Sequence, residues 1–330
     1  FKLKPGASYI NERKSVTYHP QGSNVYTTNG TKLIKLLITG DQWMDPATFR
    51  VAFDLVNMES TTAKKLWPLG GPHSFFKRMR VLCNGQIIED IDDYNRVHEM
   101  FNVLTPTNTR LNDAVESFGS EWDIGYFRDK PNLVPTDGKI LQGIDGNNEK
   151  TVLFKPLSGL LSQSKYIPLR YCPITIELEL VDNATDPIIS GFATEYPGST
   201  FSATNTSLLW EIRNVMVKCD VCTLDNALDN SYAEHLLSGK SLPINYNTYI
   251  SQMQSILSGA NGQKSVRLNI TRSLSRLKSV FVSLYRETTK NVQSLPRKRW
   301  NTFYSTMNPF VMQKEGEFEL QLQLGSKSYP

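Results

Sequence analysis

Cysteine and histidine are both scarce in this chain, which has 330 residues and only four of each. The cysteines are Cys83, Cys172, Cys219 and Cys222, and their spacing does not form the disulfide framework of a small secreted domain. We therefore expect free thiols in a reducing compartment. Long apolar runs are absent as well. No window approaches about 18 consecutive apolar residues, so we expect no transmembrane helix.

A strong excess of one charge is also lacking. The formal net charge is only +4, which is too small to mark the whole chain as a nucleic-acid-binding protein. The cations are nevertheless unevenly spread, because residues 264–299 contain ten Lys and Arg and one acid. This stretch could contact phosphates. Its cations alternate with apolar residues, however, and they could equally lie on a solvated face or meet acids of a neighbouring subunit.

The residues that are present suit a large folded core. Hydrophobic residues make up 39% of the chain and charged residues 21%, which is typical of a globular protein. The length predicts two domains or one large β domain. Because the sequence begins at Phe1 without a Met, we interpret it as part of a longer protein.

The clearest element is the stretch 174–181. Ile174, Ile176, Leu178 and Leu180 alternate with polar residues such as Glu177. A period of two places the apolar side chains on one face of a β-strand, against a core. Residues 48–56 alternate in the same way. The predicted core residues from these and a later strand are Phe49, Val51, Phe53, Ile176, Leu178, Leu180 and Trp210.

Further elements of the first half follow from turn chemistry and period. Residues 33–38 and 75–82 predict strands, and Asn84-Gly85 predicts a tight hairpin with a returning strand at 86–88, because both residues tolerate positive φ. Residues 92–104 change to helical spacing, with acids at the start that favour a helix N-terminus. The two stretches at 105–150 and 182–206 are rich in turn-forming residues and predict long loops.

The second half again favours strands. Residues 208–224 predict a long strand with a β-bulge, because its apolar phase shifts near Asn214. Residues 225–238 predict a short helix that Gly239 ends. Strands are then expected at 246–256, 265–271, 277–285, 300–306 and 317–324. Many strands with few helices predict two consecutive β-sandwiches.

The sequence gives only weak signals for a catalytic or metal-binding site. Cys219 and Cys222 form a C-x-x-C pair, but a zinc site needs four ligands and the two thiols should face opposite sides of a strand. The His98-Glu99 and Glu234-His235 pairs could suggest acid–base chemistry, yet adjacent residues on a helix point apart. The acidic run comprises Glu89, Asp90, Asp92 and Asp93, and it matches a solvated helix start better than a cation site. We therefore expect no catalytic, cofactor-binding or metal-binding residues.

Several segments, in chain order, resemble the double jelly-roll major capsid proteins of double-stranded DNA viruses, in particular those of polintons, polinton-like viruses and virophages. The segments are LWPLGGPHSFFKRMRVLCNGQIIEDIDDYNRVHEMF, KPLSGLLSQSKYIPLRYCPITIELELV, WEIRNVMVKCDVCTLDNALDNSYAEHLL and GEFELQLQLGSKSYP, at 66–101, 155–181, 210–237 and 316–330. The resemblance implies an all-β fold of two consecutive jelly rolls. The first would span 1–225. A linker helix and the start of an incomplete second jelly roll would span 226–330.

The same resemblance implies a structural role rather than an enzymatic one. The protein would be the major capsid protein of a DNA virus, made in the infected cell and located in the virion. It would form pseudo-hexameric homotrimers that tile an icosahedral shell. Its partners would be itself, neighbouring capsomers, and penton and minor capsid or cement proteins. No cofactor, small-molecule substrate or specific nucleic acid is expected.

Two other functions stay open at this point. A carbohydrate-binding or carbohydrate-acting β-sandwich would need paired carboxylates in an aromatic groove, and a nucleic-acid-binding β protein would use the cations of 264–299. If the capsid hypothesis is correct, we expect at least one of the loops 105–150 and 182–206 to lie at the outer end of the capsomer and to touch an adjacent subunit.

Overall fold

The computed structural model describes residues 9–68, 70–118, 143–188, 206–241 and 243–254. It also describes short stretches at 267–270, 274, 276–283, 320–324 and 327–329. The chain forms two compact units, Phe1–Met253 and Gln254–Pro330. No helix in the described ranges is long and apolar enough to cross a membrane.

The first unit is built from two antiparallel sheets. Its strands are β1 Ile10–Tyr18, β2 Val25–Tyr26, β3 Leu33–Ile38, β4 Trp43–Asn57, β5 Phe76–Cys83, β6 Gln86–Ile91, β7 Glu149–Phe154, β8 Ile167–Pro168, β9 Ile174–Leu180 and β10 Trp210–Leu224. One sheet has the order β1-β10-β4-β7, with β2 beside β10 and β8 beside β4. The other sheet has the order β3-β9-β5-β6.

This strand order is that of a jelly roll. If the eight main strands are lettered B to I along the chain, the sheets read BIDG and CHEF, so most connections cross from one sheet to the other. The expected all-β fold with a jelly-roll sandwich is therefore confirmed. The domain boundary after residue 225 stays a prediction, because the chain belongs to the first compact unit until Met253.

The core lies between the two sheets and takes side chains from both. All of the predicted core residues are buried: Phe49, Val51, Phe53, Ile176, Leu178 and Leu180 are inaccessible and Trp210 is 5% exposed. Aromatic rings cross the sandwich, with Phe53 and Phe76 centroids 5.7 Å apart and Phe75 and Trp210 centroids 4.8 Å apart. Such edge-on aromatic pairs add stability beyond the area that they bury.

The outer face of β9 carries ion pairs rather than apolar packing. Glu177 is only 8% exposed, but it is covered by Arg80 of β5 at 2.8 Å and Lys35 of β3 at 3.8 Å. On β6, Asp90 accepts two hydrogen bonds from Arg78, both 2.8 Å long. The register predicted from the alternation at 174–181 is therefore correct, since a shift by one residue would exchange these two faces.

Three predicted turns and caps are confirmed. Asn84 and Gly85 have φ values of 49° and 80° at the tip of the β5–β6 hairpin. β10 shifts register between Arg213 and Met216, with Asn214 at φ 51°, which is the predicted bulge. The helix at Asn226–Leu237 begins at Asp225, whose side chain accepts from the Ala227 backbone N–H at 3.2 Å.

The helices only partly match the prediction. They are α1 Tyr94–Leu104, α2 Thr107–Val115, α3 Gly159–Ser162 and α4 Asn226–Leu237, with a 3-10 turn at Pro72–Phe75. α1 and α4 were expected. The long connection predicted at 105–150 carries small elements of its own, because α2 and the start of β7 lie within it. Its centre, 119–142, is outside the described residues.

The expectation of four free thiols is wrong for one pair. Cys83 and Cys172 form a disulfide, with their Cα atoms 5.8 Å apart. Cys83 lies opposite Ile174 in the β5–β9 ladder, so Cys172 reaches it from two residues before. The 89 positions between the two cysteines conceal this proximity in the sequence.

The second unit is described only in part. β11 Leu322–Leu324 and β12 Lys327–Tyr329 form an antiparallel hairpin, within and beyond the strand expected at 317–324. The described residues 267–270 and 276–283 form no strand, although strands were expected there. The strand expected at 300–306 and most of the residues expected to form the second jelly roll lie outside the described residues.

Candidate functional site

Three connections emerge at one end of the jelly roll, which we call the loop end. They are residues 58–75, 92–148 and 181–209, each joining strands of opposite sheets. Isolated bridges tie them to one another: Lys65 pairs with Thr206, Leu66 with Ile144, and Pro68 with Ile188. The bases of both predicted long loops therefore lie side by side against residues 65–68.

Asn57 forms hydrogen bonds to two of these three connections. It is fully buried, and its side-chain amide donates to the carbonyls of Lys64 at 3.0 Å and Ile144 at 2.8 Å. Its backbone N–H donates to the Asn148 carbonyl, and its carbonyl accepts from the Asn147 N–H. A buried amide with its hydrogen bonds satisfied rigidifies the segments around it. Asn57 thus joins the described bases of the connections 58–75 and 92–148.

The connection 181–209 is anchored on both sides of its undescribed centre. Before it, Ile188 is inaccessible, and the Ala184 carbonyl accepts a 2.9 Å hydrogen bond from the Trp210 indole. After it, the Ser207 N–H donates to the Lys65 carbonyl at 2.8 Å. The described residues on either side of this centre are therefore held in place at the loop end.

A buried histidine pair lies under the loop end. His73, in the 3-10 turn, is 3% exposed, and its Nε2 lies 2.9 Å from Glu99 Oε2 of α1. The ring of His98 stacks on that of His73 with centroids 4.1 Å apart and planes inclined by 9°. His98 Nδ1 is buried without a hydrogen-bond partner in the described part of the chain.

Both imidazoles are held neutral by burial. Loss of hydration lowers the pKa of His73 from 6.5 to about 3. The same effect lowers the pKa of His98 to about 3, and the neighbouring His73 adds to it. Stacked rings cannot direct their nitrogens at one metal ion. The pair is therefore part of the packing of the fold and not a set of metal ligands.

A second feature is an extended strap formed by residues 244–251. Ile244, Tyr246 and Tyr249 pack against the core. The Tyr246 hydroxyl donates to the Ile88 carbonyl at 3.2 Å, and Tyr249 meets Phe101 of α1 edge-on at 4.6 Å. A strand was expected at 246–256, and residues 246–254 form none. The apolar side chains that suggested a strand instead hold the strap on the first unit.

Glu89 lies beneath the strap. It is 2% exposed, accepts from the Ser158 hydroxyl and accepts from the Gly159 N–H at 2.8 Å. Burial raises the pKa of Glu89, and these hydrogen bonds oppose the rise. A Cβ added at Gly159 would lie 1.7 Å from the Asn247 carbonyl oxygen, so the strap crosses this point at a distance that only glycine allows.

Gly159→Ala is therefore expected to displace the strap and to lower the free energy of unfolding by about 1–3 kcal/mol. Protease cleavage within 244–253 should become faster, because the strap would detach. Gly40→Ala is the matched control, since its nearest contact would be an ordinary 3.8 Å. Equal protease resistance of the two variants would contradict this role of Gly159.

The candidates singled out in the sequence do not converge on one site. Cys219 and Cys222 are both buried, and burial raises the pKa of the Cys219 thiol to about 12, as expected of inert thiols. Asp90 and Asp92 both pair with Arg78, away from buried Glu89. No group of three or more His, Cys, Asp or Glu side chains in the described ranges is placed to hold a metal ion.

The remaining candidates are scattered. His98 and Glu99 are in the buried pair site, whereas Glu234 is exposed on α4. Of the basic stretch, only Arg267, Arg276 and Lys278 are among the described residues, so its role stays a prediction. Sequence reasoning missed His73 and the strap. The Gly-Gly-Pro that precedes His73 signalled a tight turn, but nothing in the sequence places this turn beside α1.

Comparison with known proteins gives only structural likeness. No family model and no curated protein sequence matches this chain. The crystal structure of the mavirus major capsid protein matches with a TM-score of 0.38 and 12% identity, over 75% of this chain and 52% of that one. The Faustovirus major capsid protein matches with a TM-score of 0.38 and 12% identity, over 71% and 58%. The chain is similar to viral major capsid proteins.

A chain in the cryo-EM structure of the Sputnik virophage gives a TM-score of 0.45 at 9% identity, over 68% of this chain and 50% of that one. The chain therefore spans about half the length of the structures that it matches. Because the TM-scores and identities are low, the jelly-roll assignment rests on the strand order and not on this likeness.

Proposed function

We propose that this chain is a non-catalytic major capsid protein that associates with copies of itself in a virus shell. The observation that carries the proposal is the BIDG–CHEF strand order, which is the architecture of many viral capsid domains. Fold does not fix function, so two further observations are needed.

The first concerns the sequence segments that resemble double jelly-roll capsid proteins. In the structure the first three segments fall on β5, β6 and α1, on β9, and on β10 with α4, and the described part of the fourth falls on β11 and β12. The first three include the central strands β5, β9 and β10 of the two sheets and the exit from the first sandwich. The resemblance therefore covers the framework of the fold and not one isolated strand.

The second concerns how the buried acids of the described residues are used. Glu89 accepts from Ser158 and Gly159, Glu99 pairs with His73, and Glu177 pairs with Arg80. Each carboxylate thus has a structural partner, whereas a glycosidase needs two carboxylates facing a groove. This favours the structural role over the carbohydrate-acting alternative.

In the proposed assembly, three copies form a pseudo-hexagonal capsomer of an icosahedral shell in the virion. Penton and minor capsid proteins would complete the shell. The hydrogen bonds and bridges that join the described bases of the connections suit a contact surface, because a preorganised surface loses less entropy on association. At least one of the connections 105–150 and 182–206 would lie at the outer end of the capsomer and contact an adjacent subunit.

Loop replacement tests this contact. Replacing residues 190–202 of the full-length protein by a short Gly-Ser linker keeps Ile188, which is buried and must stay in place. A second variant replaces 123–139 in the same way. We expect at least one variant to lose the trimer while its circular dichroism keeps the β-sheet signal. Two variants that both stay trimeric with unchanged melting temperatures would contradict the proposed contact.

A further inference from the structure

An unbalanced line of cations crosses the outer face of the BIDG sheet. Lys218 of β10 lies directly opposite Arg50 of β4. Phe154 lies opposite Val51, which places Lys155, the next residue after β7, beside Arg50. We call Lys218, Arg50 and Lys155 the cationic row. Since neighbouring strands are about 5 Å apart, the row spans roughly 10 Å.

The direction of the pKa shift of Lys155 agrees with this placement. Burial lowers the pKa of Lys155 from 10.5, and the charge of Arg50 lowers it further, whereas Asp45 opposes the shift. Like charges directly opposite each other destabilise a sheet. The row therefore carries an electrostatic cost that Asp45 offsets only in part, because the pKa of Lys155 stays lowered.

The nearest acids are already occupied. Arg13 of β1 binds both Asp45, at 2.8 Å, and Asp220, at 2.9 Å. Lys218 and Lys155 are exposed, and no carboxylate of the described ranges forms an ion pair with either of them. Arg50 donates only to the backbone carbonyls of Ala47 and Phe49 there. The row is thus open to an external anion.

We propose that the cationic row binds the phosphate backbone of a nucleic acid without reading its sequence. A nucleic acid supplies closely spaced negative charges along a line, and release of its counterions drives the binding. The cations lie on the face of a sheet and not on a helix or loop that could enter a groove, so contacts to phosphate rather than to base edges are expected. This binding goes beyond the proposed shell-forming role and concerns residues outside the basic stretch at 264–299.

Two other partners fit less well. A membrane surface calls for apolar side chains that insert beside the cations. The exposed large hydrophobic residues of the described ranges include none in 10–18, 48–52, 151–156 or 216–220. A second copy of this chain would need a free acidic row. On its other sheet Glu177 pairs with Arg80 and Asp90 with Arg78, so the acids there do not form a free row.

The test uses the full-length protein and a short fluorescein-labelled single-stranded oligonucleotide, with binding followed by fluorescence anisotropy over a series of salt concentrations. The variant is Lys155→Gln with Lys218→Gln, and Arg50 is kept because it also holds backbone carbonyls of β4. The control is Lys14→Gln with Lys240→Gln, which removes the same charge from exposed positions elsewhere. Size measurement of each variant shows whether assembly is intact.

We expect the row variant to bind roughly tenfold more weakly, and the slope of log affinity against log salt to fall by about 1.4, or about 0.7 for each lost phosphate contact. The control should keep the slope of the parent. Equal slopes for both variants would overturn the proposal, as would row-dependent binding to anionic vesicles without row-dependent binding to the oligonucleotide. Either result would leave the shell proposal standing if the protein still assembles.

Discussion

Acidification from about pH 7 to about pH 5 is expected to lower the free energy of unfolding by about 2 kcal/mol through His73 alone. Burial lowers the folded-state pKa of His73 to about 3, against 6.5 as its ordinary value. The unfolded chain therefore binds a proton that the folded chain excludes. The stabilisation is present above pH 6.5 and is lost as the pH falls from 6.5 towards 3.

His98 should add to this loss. Its Nδ1 is buried, but the residue keeps some exposed surface, so we count only His73 in the magnitude. Glu99 accepts from or donates to His73 at 2.9 Å according to protonation, and the ring of Tyr94 lies 5.6 Å from that of His98. The ring of Phe154 lies 6.5 Å from that of His98, and a hydrogen bond with the backbone of Lys155 opposes part of the fall in the His98 pKa.

Denaturant unfolding at the two pH values measures the effect in the parent and in His73→Gln. The variant is expected to lose less stability on acidification, whatever its stability at neutral pH, because one buried imidazole is gone. Burial raises the pKa of Glu89. Its contribution to the pH dependence is present in both the parent and the variant and therefore cancels in the comparison. His19→Gln, at an exposed position, is the control and should keep the pH dependence of the parent. Identical pH dependence in all three proteins would contradict the account.

Leu178→Ala is expected to destabilise the protein by about 2–5 kcal/mol. Leu178 is inaccessible and lies in the ladder between Ile34 of β3 and Met79 of β5. Its removal leaves a cavity in the centre of the CHEF sheet, where the neighbouring strands prevent collapse. Thermal or denaturant unfolding gives the magnitude.

Leu33→Ala is the matched control, because it makes the same chemical change at the edge strand β3, where Leu33 is 40% exposed. Its expected cost is below about 1 kcal/mol. Comparable losses for the two variants would mean that the centre of the sheet packs less tightly than the structure indicates.

Local chemistry explains which elements could be predicted from the sequence. The alternation at 174–181, the Asn84-Gly85 turn and the phase shift at Asn214 each reflect backbone geometry within a few residues. Their structures therefore follow from short-range sterics and hydrophobic period. The helix α4 belongs to the same class, since Asp225 caps it and Gly239 at φ 75° ends it.

Long-range contacts explain the errors. The helical spacing of the apolar residues at 92–104 predicted α1, yet Leu104 is 61% exposed and the buried residues include Glu99. That polar side faces inward because His73 arrives from another connection to pair with it. The strap was mistaken for a strand because its aromatic residues bind Ile88 and Phe101 instead of a ladder partner. Neither partner is visible from the local pattern.

The mass of the full-length protein in solution tests the central claim most directly. Light scattering or sedimentation equilibrium over a range of concentrations would give it. The account predicts a stable species of three times the polypeptide mass, and larger pseudo-hexagonal arrays in electron micrographs as the concentration rises. A monomer at every concentration, with no ordered array, would contradict the proposal that this jelly-roll protein builds a shell.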